Sequence, residues 1–231
     1  MQHAYGLDIP VTLEDACDPA RMALIVYDMQ VGVVSQIASS AQITRRVLDV
    51  LESARAAGVR VFFTRHMSLP NEVAGASALR TALTWQRVST VAEVRPALPR
   101  GSDAFELIPE LQPRSSEAVL DKISMSAFVG TPLDIILRDC GITAFAIAGV
   151  AMEVGIEPTV RHATDLGYLP IVIEDACGAG NAPAAERSLA ALRYAGNTLF
   201  TDTAALGATL SQRVANGEPD TAPAGLADRA R

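Results

Sequence analysis

Apolar residues along this chain gather in short unbroken runs. Five stand out: Ala23 to Tyr27 (ALIVY), Val59 to Thr64 (VRVFFT), Ala118 to Leu120 (AVL), Ala144 to Val150 (AFAIAGV) and Leu169 to Ile173 (LPIVI). A sixth, weaker run covers Thr198 to Thr201. Most are rich in β-branched residues, and such runs mark strands buried on both faces, as in a parallel sheet covered by helices. Between them, helical patterns occupy Ala41 to Ala57, Pro132 to Cys140, Gly155 to Leu166 and Ala182 to Ala195. The alternation predicts a doubly wound α/β fold, with a mostly parallel six-stranded sheet and right-handed connections. Gly58, Gly141, Gly167 and Gly196 each follow a helical pattern closely, where the backbone turns left-handed to end a helix.

Two segments break this rhythm. From about residue 66 to 117 no clear strand appears, and the stretch includes the Pro-rich RPALPRGSDAFELIPELQPRSS. A long excursion from a compact domain usually forms a lid, a substrate wall or a subunit contact. The pattern therefore predicts one domain over residues 1–212 with an insertion at about 66–117. The tail from 213 to 231 (VANGEPDTAPAGLADRAR follows Arg213) is rich in Ala, Pro and Gly and is expected to be disordered.

Composition supports a folded enzyme-sized domain. Of 231 residues, 49% are hydrophobic and 19% charged, which suits a sizeable core and argues against a disordered chain. The net charge of -7 lacks the basic footprint of a nucleic-acid binder. The three cysteines, Cys17, Cys140 and Cys177, lack the spacing of a disulfide framework or a zinc site. The opening MQHAYGLDIPVTLEDA has no basic stretch followed by an apolar core, so neither a signal peptide nor a membrane span is expected, and a cytoplasmic location is.

In a parallel sheet, functional groups collect at the carboxyl ends of strands. Asp28 directly follows ALIVY, and Lys122 lies beside the AVL strand. An acid after a buried strand is short of solvent, which raises its pKa unless a cation offsets the loss. Taken alone, Asp28 reads equally well as a turn acid, and Lys122 reads more readily as a surface residue. As a pair they are more informative. After AFAIAGV the chain enters a helix within a few residues, through Gly149-Val150-Ala151-Met152-Glu153-Val154-Gly155. Unpaired amides at such a helix start can hold an oxyanion, although an ordinary turn of small residues gives the same spacing.

Together, ALIVYDMQ, DKISMSAF and GVAMEVGIEPTVRHATDLGYLPIVIEDACGAG resemble the isochorismatase-like hydrolases. This superfamily includes nicotinamidases, N-carbamoylsarcosine amidases and true isochorismatases. The resemblance covers roughly Ala23 to Asp202. It implies that Asp28 and Lys122 match two members of an Asp–Lys–Cys triad. It also implies a cis peptide between Val150 and Ala151, and oxyanion amides at Ala151 and Gly155. The family's cysteine position, however, is Gly155. Without a thiolate, the usual thioester route is closed. Cys177 and Cys140 read as structural. One histidine, His66, after the second strand cannot make a nicotinamidase-type metal site, and no metal or cofactor is expected.

Three functions follow from the resemblance. The first is a small-molecule hydrolase using Asp28 and water, with the water in space left open at Gly155. The second is an isochorismatase-type vinyl-ether hydrolase releasing pyruvate, for which Asp28 is the acid and Lys122 and Arg87 bind carboxylates. The third is a binding protein that has lost turnover. A buried acid beside a lysine costs desolvation a pure binder has no chemical need for, which favours an enzyme. Trp85 and Phe128 are further candidate substrate contacts, with a core position the more favoured reading for Phe128. The resemblance also implies a homo-oligomer, a dimer or tetramer.

Overall fold

The computed structural model describes residues 1–216. The chain opens with β1 (Gln2–Ala4) and β2 (Leu7–Ile9), an antiparallel pair, followed by the short α1 (Leu13–Ala16). Then come β3 (Met22–Tyr27), α2 (Val31–Val34), α3 (Ser40–Ala56), β4 (Arg60–His66), α4 (Ala76–Gln86) and β5 (Ala118–Lys122). The second half holds α5 (Leu133–Asp139), β6 (Ala144–Val150), α6 (Glu157–Asp165), β7 (Leu169–Gly178), α7 (Ala182–Ala195), β8 (Leu199–Thr201) and α8 (Thr203–Ala215). No helix among the described residues is long and apolar enough to cross a membrane.

β3 to β8 form one six-stranded sheet in the order β5-β4-β3-β6-β7-β8, and every neighbouring pair in it is parallel. The order reverses at β3 and β6. The connections leaving their carboxyl ends run in opposite directions there, and sheets of this kind place their chemistry at that switch point. Strand alternation sends successive side chains to opposite faces. Leu24 and Val26 pack with Val47, Val50, Leu51, Leu206 and Leu210 of α3 and α8. Ala23, Ile25 and Tyr27 pack on the other face with residues of α5, α6 and α7, including Leu133, Leu137, Val160 and Leu192.

The expected strands and helices are present, with shifted ends. β7 continues five residues beyond Ile173, past the charged Glu174 and Asp175 that interrupt its apolar run. Asp175 meets Arg46 at 3.3 Å and caps the start of α8 through Thr203. The insertion is not without structure. It carries α4 and two short 3₁₀ turns, Val91–Glu93 and Pro109–Leu111. Its last part is laced to the segment after β3: Val31 N donates to Glu106 O and Ile108 N donates to Met29 O, both at 2.9 Å. Arg213 to Ala215, which the expected tail includes, belong to α8. The remainder of that expectation lies outside the described residues.

Candidate active site

The first functional side chain stands where β3 ends. Asp28 leaves the strand in the left-handed region, with φ of 47°. Its Oδ2 accepts from Lys122 Nζ at 2.7 Å and its Oδ1 accepts from the Thr64 hydroxyl at 2.6 Å. The Thr64 hydroxyl also accepts from the Asp28 amide at 3.2 Å. Thr64 lies on β4 and Lys122 ends β5, so three adjacent parallel strands converge on one carboxylate. Asp28 is 5% exposed and Lys122 2%. Burial pushes the Lys122 pKa down, while the Asp28 carboxylate pulls it back up. The ammonium also donates to Ser124 O at 3.2 Å and lies 4.3 Å from the centre of the Tyr27 ring.

Tyr27 is the residue that sequence reasoning missed, since it reads simply as the end of an apolar run. Its side chain is buried against the α5–α7 side of the sheet. Its hydroxyl donates to Met125 O. Burial first, and then the Asp28 charge, push the phenol pKa well above its ordinary value. The phenol is therefore a proton-bearing donor at neutral pH.

The turn after β6 supplies the third wall. The peptide between Val150 and Ala151 is cis. Gly149, with φ of 130°, sits so close to the Tyr27 backbone that any β-carbon there would collide with it. Met152–Ile156 then forms one wide π-helical turn. Gly155 N and Ile156 N both donate to Ala151 O, at 3.0 and 3.2 Å. The Gly155 amide is thus already paired within the turn, which corrects the expectation of a free oxyanion donor there. A second correction concerns space. A β-carbon on Gly155 would overlap the hydroxyl and ring of Tyr27. The room left by the missing side chain holds the phenol, where a water was expected.

Two further residues build the surroundings. Gln30 is fully buried; its amide donates to His66 O at 2.9 Å and Phe105 O at 2.7 Å, and its oxygen accepts from His66 N at 2.7 Å. It ties the segment after Asp28 to β4 and the insertion. Glu153 Oε1 accepts from Asn181 N at 2.6 Å, at the start of α7. Glu153 Oε2 is buried and has no hydrogen-bond partner among the described residues. Both lie within the motifs ALIVYDMQ and GVAMEVG, but only the fold shows which backbone groups they bond.

The remaining expected contacts separate. Phe128 is a core residue, stacked on Tyr168 and packed against Phe145 and His162. Its place as a substrate contact is corrected accordingly, because its ring is spent on that cluster. Trp85 lies on α4 and is 59% exposed. Arg87 ends α4 in the left-handed region. No hydrogen bond or ion pair among the described residues joins Trp85 or Arg87 to Asp28 or Lys122. Cys177 pairs in register with Gly149, and its thiol donates to Ile147 O at 3.6 Å. Burial pushes that thiol far up in pKa, which makes it a poor nucleophile.

Comparison with known proteins fits this geometry. A family model described as "Isochorismatase domain" matches residues 22–204. Ureidoacrylate amidohydrolase RutB of Pantoea ananatis is 33% identical over 174 residues, covering 68% of this chain and 69% of that protein. Its counterpart from Klebsiella pneumoniae is 34% identical over 174 residues, covering 68% and 73%. Among solved structures, a cysteine hydrolase from Pseudomonas syringae pv. phaseolicola superposes with a TM-score of 0.74 at 26% identity. That match covers 86% of this chain and 96% of that one.

Proposed function

The chain belongs to the isochorismatase family and is a hydrolase of that family, and from this we propose that it cleaves a small molecule by attack of water, with no covalent intermediate on the protein. Asp28 moves the proton. The observation that carries this reading is the Asp28 carboxylate, held by Lys122 at 2.7 Å and Thr64 at 2.6 Å, beside a residue 155 that has no side chain. With no nucleophile at that position, the carboxylate is the group left to take a proton from water and return it to the leaving group. Lys122 keeps the carboxylate in place through its hydrogen bond to Oδ2.

An amide or ureido compound is the substrate class we favour, because the relatives are ureidoacrylate amidohydrolases. Among the described residues Glu153 Oε2 has no hydrogen-bond partner, and an N–H of an amide or ureido substrate would satisfy it. A vinyl ether such as isochorismate is the second reading, favoured by the absence of a side-chain nucleophile at Gly155. The test is to incubate purified protein with ureidoacrylate and, separately, with isochorismate, following loss of the first and pyruvate release from the second. Asp28→Asn runs in parallel. Turnover of either by the wild type, lost in Asp28→Asn, supports the proposal and selects the substrate class. Equal turnover in the variant would exclude Asp28 as the proton carrier. Binding without turnover would favour a silent homologue.

A further inference from the structure

Tyr27 and Gly155 belong to different strand–helix units, 128 positions apart in the chain, yet they share one space. A β-carbon at Gly155 has no room, because the Tyr27 hydroxyl, Cζ and Cε1 occupy it. The aromatic ring is 1% exposed and cannot simply swing into solvent. Its position is fixed from three sides. The backbone of Tyr27 pairs in register with Gly149, the hydroxyl is held by Met125 O, and Lys122 Nζ lies over the ring face. The same ammonium holds Asp28. Alternation along a strand would normally put Tyr27 and Asp28 on opposite faces. The left-handed turn at Asp28 brings both side chains to Lys122 instead.

We propose that Tyr27 and Gly155 act as one unit: the glycine makes room for the phenol, and the phenol hydroxyl is a side-chain hydrogen-bond donor to the substrate oxygen. This rests on the hydrolase reading above. The phenol gives up the Met125 carbonyl and donates to the oxygen on which charge develops. Asp28 takes one proton from the attacking water as its oxygen bonds to the substrate carbon. That proton then passes to the leaving nitrogen or oxygen as its bond to carbon breaks. Tyr27 keeps its own proton throughout, so the balance is water added and two products released. A phenol held well above its ordinary pKa suits this role and not that of a nucleophile. It also replaces the donor lost when the Gly155 amide pairs with Ala151 O.

The test has two arms. The first needs no substrate and uses thermal stability of Gly155→Ala, Tyr27→Val and the double variant. If the two residues share one space, Gly155→Ala is strongly destabilised, and adding Tyr27→Val restores part of the loss. Additive losses would overturn the pairing. The second arm uses Tyr27→Phe, which keeps the ring and removes only the hydroxyl. With ureidoacrylate or isochorismate, whichever the wild type turns over, kcat is expected to fall about 100-fold with KM changed by less than about threefold. Unchanged kcat in a folded Tyr27→Phe would overturn the donor role while leaving the hydrolase reading intact. No turnover of either compound by the wild type would count against both, and the stability arm then shows whether the shared space survives alone.

Discussion

The Lys122 ammonium lies 2.7 Å from Asp28 Oδ2, bridging 94 residues of chain inside the protein. Each charge is expensive to bury, and each is tolerable because the other is there. The pair also joins β3 to the edge strand β5 across β4, so the chemistry of the site and the alignment of the sheet depend on the same contact.

Lys122→Met would leave Asp28 buried without its cation. The expected cost is about 3–5 kcal/mol, measured by urea denaturation, together with loss of hydrolysis. A variant as stable as the wild type would show that Asp28 finds other solvation and that the pair is not structurally critical.

Gln30→Leu keeps volume but strips three backbone groups of their partner: the buried Phe105 O and the half-buried His66 N and O. Leaving buried polar groups unsatisfied costs about 1–3 kcal/mol each, partly relieved if water enters. A drop of at least about 2 kcal/mol in unfolding free energy is expected, along with faster proteolysis near residues 104–108, which Gln30 helps to anchor.

His66 predicts a pH dependence. Burial, followed by the nearby Lys122 charge, holds its imidazole below the ordinary value, against a smaller opposing pull from Asp28. The unfolded chain therefore binds this proton more readily than the native one. The stability due to the neutral ring is present above about pH 6.5, and it is lost as the pH falls through the lower native value. Thermal melts of wild type and His66→Gln between pH 7.5 and about 5 should diverge, with the variant losing less on acidification. Parallel curves would place the acid sensitivity elsewhere.

Arg55 clamps the end of the insertion. Its guanidinium bonds both oxygens of Glu117 at 2.7 Å and the carbonyls of Leu111 and Gln112 at 3.1 and 3.0 Å. Lysine carries the charge but not the fork. Arg55→Lys is expected to cost about 1–2 kcal/mol, again read by denaturation, with kcat nearly unchanged because the clamp lies outside the Asp28 site.

The parallel sheet was legible because its strands are buried on both faces and so read as unbroken apolar runs. Asp28 and Lys122 were legible because each lies at a strand's carboxyl end within a recognisable motif. The Tyr27–Gly155 relationship was not. In sequence Tyr27 is one more apolar strand residue, and Gly155 looks like a vacancy. Only the pairing of β3 with β6 shows that one fills the other. Phe128, within DKISMSAF, packs on Tyr168, Phe145 and His162, and the motif alone does not say which face of its loop an aromatic packs on. Gln30 and Glu153 acquire their meaning from backbone groups distant in sequence, and no local pattern announces that.

Hydrolysis by Asp28 and water without a thiol is tested by one rate measurement on the substrate that the wild type accepts, before and after complete treatment with iodoacetamide and in Asp28→Asn. Alkylation is expected to leave the rate essentially unchanged, whereas Asp28→Asn lowers it about 100- to 10,000-fold. Inactivation by iodoacetamide, or an Asp28→Asn enzyme as fast as the wild type, would contradict hydrolysis by that route.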